Sequence, residues 1–222
     1  PKTAHAAFHK AAHYLSVNPI IVDIDPQTFK VRAEDMRNAI TENTILLVAS
    51  SPSYSQGVID PIAEIGKIAQ EKNLLFHVDA CVGGYFAPFA RMLGVALPNW
   101  DFAVPGVTSI SADLHKYGYT AKGASTLFFR DQQAFAAMGW AFDNWARGQY
   151  FTHTLVGTRA GGAIAAAWAV LKYLGADGYQ RITARVLATR QRLADGASAL
   201  GMPPLGHPQL GILAFGSPDH DM

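Results

Sequence analysis

Two residues at separate points of the chain could together support covalent chemistry. Asp79 closes the apolar run Leu74-Leu75-Phe76-His77-Val78-Asp79 and is followed by Ala80-Cys81-Val82-Gly83-Gly84. Lys116 stands in Ser111-Ala112-Asp113-Leu114-His115-Lys116-Tyr117-Gly118. A carboxylate at the end of a buried strand needs a partner, because an unpaired buried charge is costly. A lysine in a partly desolvated pocket loses its proton more readily and becomes a Schiff-base nucleophile. Such a lysine, with an aspartate for a pyridinium nitrogen, is the minimum protein set for pyridoxal 5'-phosphate. On residue types alone the same two also read as a helix N-cap and an exposed loop lysine.

The elements that must position this pair follow from apolar patterning. Short β-rich runs alternate with helical stretches. Helices are expected at residues 3–15, 33–40 and 62–72, and strands at Ile20-Ile21-Val22-Asp23-Ile24 and Thr44-Ile45-Leu46-Leu47-Val48-Ala49. The second of these is continuously apolar, as in a strand buried on both faces. Asp60-Pro61 reads as the cap and first turn of a helix whose Ile62, Ile65 and Ala69 face inward. Asn73 is its stop, and the strand ending at Asp79 follows. Further strands are expected at Phe102-Ala103-Val104-Pro105, Thr108-Ser109-Ile110 and Thr126-Leu127-Phe128-Phe129. Two successive helices then run over residues 160–174 and 178–200, the first an Ala-rich internal helix, before a strand-like Gly211-Ile212-Leu213-Ala214-Phe215. The alternation predicts an α/β fold, a mostly parallel sheet flanked by helices on both faces. Ligands of such sheets sit beyond the carboxyl ends of the strands. Ser50-Ser51-Pro52-Ser53, His77-Val78-Asp79 and the segment from Ser109 to Lys116 converge there.

Composition narrows the partners. The 222 residues are 50% hydrophobic and 16% charged, with a net charge of +1, which argues against disorder and against nucleic-acid binding through bulk charge. Cys81 is the single cysteine, so neither a disulfide framework nor a Cys-rich zinc site can form within the chain. The most apolar helical stretch is shorter than the roughly 20 residues a bilayer requires, so no transmembrane segment and a cytoplasmic location are expected. His5, His9 and His13 share a helix face at i, i+4, i+8, but no carboxylate or Cys on that helix completes a zinc set, and no metal is assigned. A lone buried cysteine is more often packing than nucleophile. Arg159 at a helix start implies either an anion there or a bridge to a carboxylate. Arg181, Arg185, Arg190 and Arg192 read as a solvated helix face. The chain opens Pro1-Lys2-Thr3 and closes Gly216-Ser217-Pro218-Asp219-His220-Asp221-Met222, so both ends read as cut.

Several segments carry a family resemblance. His77-Val78-Asp79-Ala80-Cys81-Val82-Gly83-Gly84-Tyr85 resembles the cofactor-aspartate strand of the pyridoxal-phosphate-dependent decarboxylase superfamily (group II, fold type I). Ser109-Ile110-Ser111-Ala112-Asp113-Leu114-His115-Lys116-Tyr117-Gly118-Tyr119 resembles its Schiff-base segment. Within the superfamily the chain is most similar to the sphingosine-1-phosphate lyases. Support comes from Ala4-His5-Ala6-Ala7-Phe8-His9-Lys10-Ala11-Ala12, from Gln56-Gly57-Val58-Ile59-Asp60-Pro61, and from Trp145 through Tyr150 to Gly157-Thr158-Arg159-Ala160-Gly161-Gly162.

The resemblance implies roles. Lys116 holds the cofactor, Asp79 pairs with the ring nitrogen, His5 stacks on one ring face and Cys81 packs near the other. His115 lies near the cofactor phosphate. Gly157 and Thr158 approach the neighbouring subunit's cofactor in a homodimer, and Lys122 is a second active-site lysine. Thr120-Ala121, Arg147 and His153 depart from the lyase pattern, and Arg147 bears on substrate preference. The implied reaction is retro-aldol cleavage of a phosphorylated sphingoid base, a small-molecule amine, to a fatty aldehyde and phosphoethanolamine, with the lipid-like substrate met at membrane surfaces. Amino-acid decarboxylation on the same scaffold is the alternative, and a non-catalytic structural or dimer-contact fragment is the reading from another class. The resemblance also implies an aminotransferase-like large domain at residues 1–176, lacking its upstream phosphate-cradling segment. A connecting helix and the start of a small carboxyl-terminal domain would occupy residues 177–222.

Overall fold

The computed structural model describes residues 1–216; the closing stretch from Ser217 to Met222 lies outside the described residues. Its central sheet runs in the order β1 (Leu46–Ser50), β2 (Leu75–Asp79), β3 (Ser109–Ala112), β4 (Thr126–Phe129). The first three strands are parallel and β4 returns antiparallel to β3. The expected mostly parallel sheet flanked by helices is therefore present.

Side chains alternate across a strand, so register decides what each face carries. Leu47 pairs with Phe76, Ala49 with Val78, and Val78 with Ile110. These five are buried together with Ile62, Ile65, Ile68 and Ala69 of α3 (Ile62–Glu71). Each large aliphatic or aromatic side chain so buried contributes about 1.5–3 kcal/mol. The opposite face carries His77 beside Ser109 and Asp79 beside Ser111. α1 (Ala7–Tyr14) lies on that face, with the Phe8 ring 5.8 Å from the His77 ring.

Helix α3 also touches the backbone that leads into β3. A Cβ added at Gly106 would lie 2.0 Å from the Gly66 carbonyl oxygen, and one at Gly66 would lie 2.5 Å from Val104 Cγ1. Glycine at 106 permits the backbone approach, and glycine at 66 leaves room for the Val104 methyl. Arg130, just past β4, secures the same segment: its Nε donates to Val107 O at 2.6 Å and its Nη2 to Val104 O at 2.7 Å.

Several expected elements differ. Ile20 to Ile24 forms no strand; Val22 O accepts only the Lys2 N–H and Ile24 bridges Val31, isolated contacts that do not extend into a ladder. Asp101 Oδ1 accepts the Ala103 N–H, an Asx turn that turns the Phe102–Pro105 run into a bend. Gly211 to Phe215 contributes only the bridge from Phe215 to Pro204. β1 is buried on one face, since Leu46 on the other is exposed. Asp60 does not cap α3. Its Oδ2 accepts the Ser50 N–H at 2.8 Å and its Oδ1 the Val31 N–H at 3.4 Å, which ties β1 to the Val31 segment.

The expected helices at 33–40 and in the first fifteen residues appear as α2 (Ala33–Asn38) and α1. Short helices α4 (Ala87–Met92) and α5 (Gln132–Ala136) and a hairpin of β5 (Trp140–Phe142) with β6 (Tyr150–Thr152) were not foreseen. The two late helices form α6 (Gly161–Ala199), interrupted at Gly175, whose φ of +55° and ψ of −175° suit glycine. The first half of α6 is not internal within this chain: Ala167 is buried, but Trp168 is 65% exposed. The second half packs on α4, where Phe89 and Tyr179 stack at 4.8 Å. Tyr179 Oη also donates to Gly118 O at 2.7 Å and so steadies the Lys116 loop.

Candidate active site

β2 delivers Asp79 to the carboxyl end of the sheet, 9% exposed. The chain turns there, and Asp79 Oδ1 accepts the Cys81 N–H at 3.1 Å and the Ser111 hydroxyl at 3.2 Å. Among the described residues none donates to Oδ2. Ser111 Oγ also lies 3.1 Å from His77 Nε2 and 3.2 Å from Cys81 Sγ, and Ser109 Oγ lies 2.9 Å from His77 Nδ1. Burial pushes the His77 imidazolium toward its neutral form, against the pull of Asp79. Burial, reinforced by the Asp79 charge, pushes the Cys81 thiol up to about 12. Cys81 is thus a thiol and a packing residue, not a thiolate nucleophile.

Lys116 follows β3 by a tight turn in which its N–H donates to Asp113 O at 3.2 Å. Its Nζ is 2.9 Å from Asp113 Oδ2. Asp113, not Asp79, is therefore its direct ion partner. The Asp113 carboxylate is itself held: Ser125 Oγ donates to Oδ1 at 2.5 Å, and His115 Nε2 lies 3.5 Å from Oδ2. Burial alone would raise the Asp113 pKa, but Ser125, Lys116 and His115 outweigh it and hold it below the ordinary carboxylate range. Burial likewise favours a neutral Lys116, yet the hydrogen bond and charge of Asp113 prevail and raise its pKa. Asp113 thus opposes the loss of the Lys116 proton that burial alone would favour.

A cavity of about 310 Å³ opens beside Lys116, lined by Tyr54, Val82, Tyr117, Tyr119 and Ile212. Desolvation, aided by the neighbouring phenols, pushes Tyr119 up to about 12, so its hydroxyl is neutral.

The remaining sequence candidates are placed unevenly. His5 is exposed at the start of α1, where its Nδ1 accepts the Ala7 N–H at 3.1 Å and its ring lies 6.5 Å from that of Tyr54. His9 and His13 are exposed. His115 Nδ1 lies 2.6 Å from Ala124 O, which fixes its ring. Lys122 and Thr158 are exposed, and Gly157 O accepts the Thr154 hydroxyl at 2.7 Å. Arg159 Nη2 reaches Gly123 O at 3.5 Å, a backbone carbonyl in the Lys122 turn, and no carboxylate among the described residues pairs with it. Arg190 does not belong to a solvated face, since its Nη1 donates to Pro208 O at 2.7 Å.

Three residues of the cluster went unremarked as participants: Asp113, Ser111 and His77. The alternation of Ser109 with Ser111, and of His77 with Asp79, is the signal that could have found two of them. Asp113 lies three residues before Lys116.

Among the described residues no helix is long and apolar enough to cross a membrane, and no cluster of three or more His, Cys, Asp or Glu could hold a metal ion.

The sphingosine-1-phosphate lyase of Dictyostelium discoideum is 42% identical over 97% of this chain and 41% of its own length. The rat sphingosine-1-phosphate lyase 1 is 40% identical over 100% of this chain and 39% of its own. The chain thus spans about two fifths of the curated relatives it matches. The solved structure of the Burkholderia pseudomallei sphingosine-1-phosphate lyase superposes with a TM-score of 0.95 at 41% identity, covering 98% of this chain and 50% of that one. Lactobacillus brevis glutamate decarboxylase shares the fold, with a TM-score of 0.84 at 21% identity. The conserved domain described as "Pyridoxal-dependent decarboxylase conserved domain" matches residues 1–201. With that match over most of its length, the chain belongs to the pyridoxal-dependent decarboxylase family, whose cofactor is pyridoxal 5'-phosphate.

Proposed function

We propose that this chain is part of a pyridoxal-phosphate-dependent carbon–carbon lyase that cleaves a phosphorylated sphingoid base to a fatty aldehyde and phosphoethanolamine. The observation that carries the reading is the contrast in identity: about 40% with sphingosine-1-phosphate lyases against 21% with a decarboxylase of the same fold. Amino-acid decarboxylation is the second reading, favoured by the shared fold alone.

The donor set fits the cofactor. A carboxylate with one saturated and one open oxygen suits a pyridinium N–H, and a primary amine stands beside the adjacent strand end. Ser51 Oγ and Ser53 Oγ, just past β1, are buried without a hydrogen-bond partner. When bound, the cofactor supplies an electron sink for the bond broken at the amine-bearing carbon. Lys116 would hold it and Asp79 Oδ2 would keep the ring-nitrogen proton. His5 would cover one ring face and Cys81 would pack at the other, while His115 would serve near the phosphate. Asp113 stabilises the Lys116 ammonium and so governs how readily its Nζ gives up a proton. Lys122 would act as the second lysine.

The exposed apolar run Leu155-Val156 and the exposed first half of α6 support a homodimer in which Gly157 and Thr158 approach the partner's cofactor. The Gly175 break supports a large domain at residues 1–176 and a connecting helix beginning at residue 177. The protein would act in the cytoplasm and meet its lipid-like substrate at membrane surfaces.

Borohydride reduction of the cofactor-loaded full-length enzyme, followed by peptide mass analysis, is expected to label Lys116. A label on another lysine, or on none, overturns the site. Aldehyde release from a phosphorylated sphingoid base is expected; carbon dioxide from an amino acid without aldehyde would favour the decarboxylase.

A further inference from the structure

With His77 held neutral by burial, the hydrogen-bonding cluster around Ser111 admits one consistent set of directions. The Asp79 carboxylate only accepts, so Ser111 donates its single hydroxyl proton to Oδ1. Ser111 Oγ must then accept from its other neighbours, which makes His77 Nε2 and Cys81 Sγ donors. With its proton on Nε2, His77 accepts at Nδ1 from Ser109 Oγ. The Cys81 N–H completes the pair of donors on Oδ1. The chain Ser109 to His77 to Ser111 to Asp79 therefore runs in one direction and ends on one oxygen. Every member lies on the site face of two adjacent parallel strands, in register.

We propose that Ser111 is a positioning residue for Asp79: its hydroxyl, oriented by His77 and Cys81, saturates Oδ1 and leaves Oδ2 to face the cofactor ring. The proposal rests on the reading of Asp79 as the partner of the ring nitrogen. A neutral His77 suits this role, since an imidazolium would have no acceptor nitrogen for Ser109. Once a donor is removed, a half-satisfied carboxylate can rotate, and the geometry toward the ring is lost.

The test uses cofactor-loaded full-length enzyme and two readouts other than turnover: the dissociation constant for pyridoxal phosphate and the visible absorption band of the bound cofactor. Ser111→Ala is expected to weaken cofactor binding roughly tenfold, as befits loss of one hydrogen bond to a charged group, and to shift the band. Ser111→Thr, which keeps the hydroxyl, is expected to restore both. His77→Phe, which removes the Nε2 donor, is expected to shift the band in the same direction as Ser111→Ala, and it stands in should Ser111→Ala fail to fold. An unchanged band and affinity in Ser111→Ala, or in His77→Phe where Ser111→Ala does not fold, overturns the proposal, as does failure of a folded Ser111→Thr to restore them. Asp79→Ala separates the two readings. If it leaves band and affinity unchanged, the assignment of Asp79 itself fails, and the proposal with it. If it alters both while Ser111→Ala alters neither, only the positioning role falls.

Discussion

The strand-end cluster and the hairpin region from Trp140 to Trp168 are built on opposite principles. Around Asp79, Ser111, Asp113 and Lys116, the polar groups are held by partners from a neighbouring strand or turn at 2.5–3.2 Å, with Asp79 Oδ2 alone left open toward the site. Around β5 and β6 the contacts are local aromatic pairs, such as Trp140 with Phe142 and Phe151 with His153, and large apolar side chains face outward. Leu155 is 97% exposed. One region has its geometry set by the sheet before any ligand arrives; the other holds only its own backbone shape. Chemistry that requires placement to a few tenths of an ångström belongs on the first.

This contrast can be broken by mutation. The largest effect is expected from Phe76→Ala, which empties the core directly beneath the cluster: a loss of about 3–5 kcal/mol in denaturant unfolding, with cofactor binding lost in parallel. A stability change without any effect on cofactor binding would show that the sheet does not set the site.

Acid titration should resolve the strand-end region in two stages. His77 has a folded pKa lowered by burial, so its contribution is complete above the ordinary value of about 6.5 and falls as the pH drops through 6.5 toward the folded value. Asp113 has a lowered pKa despite its burial, so its contribution holds above the ordinary carboxylate value of about 3.9 and is lost as the pH falls through its folded value. Thermal melts across pH 7 to 3 should show both declines, and His77→Phe should remove the first alone. Asp113→Asn is expected to lower the Lys116 pKa, because burial is then opposed only by the weaker pull of Cys81 and Asp79; faster acylation of Lys116 at neutral pH, read by peptide mass, checks it.

The smallest effects are expected in the other region. Leu155→Ser and Val156→Ser should each change the stability of the isolated subunit by no more than about 0.5 kcal/mol, since both side chains are exposed. Sedimentation of the same variants should instead show weakened self-association, and unchanged association would remove the proposed dimer contact.

How far the sequence could be read follows the same division. The run Leu74 to Asp79 announced its strand because uninterrupted apolar residues between turn signals leave little else to form, and the parallel sheet followed. Lys116 and Asp79 were legible through their flanking motifs. Asp113 was not, because its role depends on a tight turn that brings Oδ2 to Nζ, and turn geometry is not periodic. Ile20 to Ile24 misled for a complementary reason: composition favoured a strand, but a strand needs a neighbour along its whole length, and this run found only isolated partners at Val22 and Ile24. Trp140 to Thr152 offered no alternation to mark its hairpin.

The bare contact between Gly66 and Gly106 sets a boundary for anyone seeking to redirect this scaffold. A side chain at Gly106 would run into the Gly66 backbone and one at Gly66 into the Val104 methyl, so the α3 backbone acts as a fixed shim under the segment entering β3. A randomised library could vary the exposed Tyr54, at the cavity, and the exposed Ala121 widely. The same diversity at those two glycines would move Ser109 and Ser111 as a unit, and so misalign a site whose own residues were never touched.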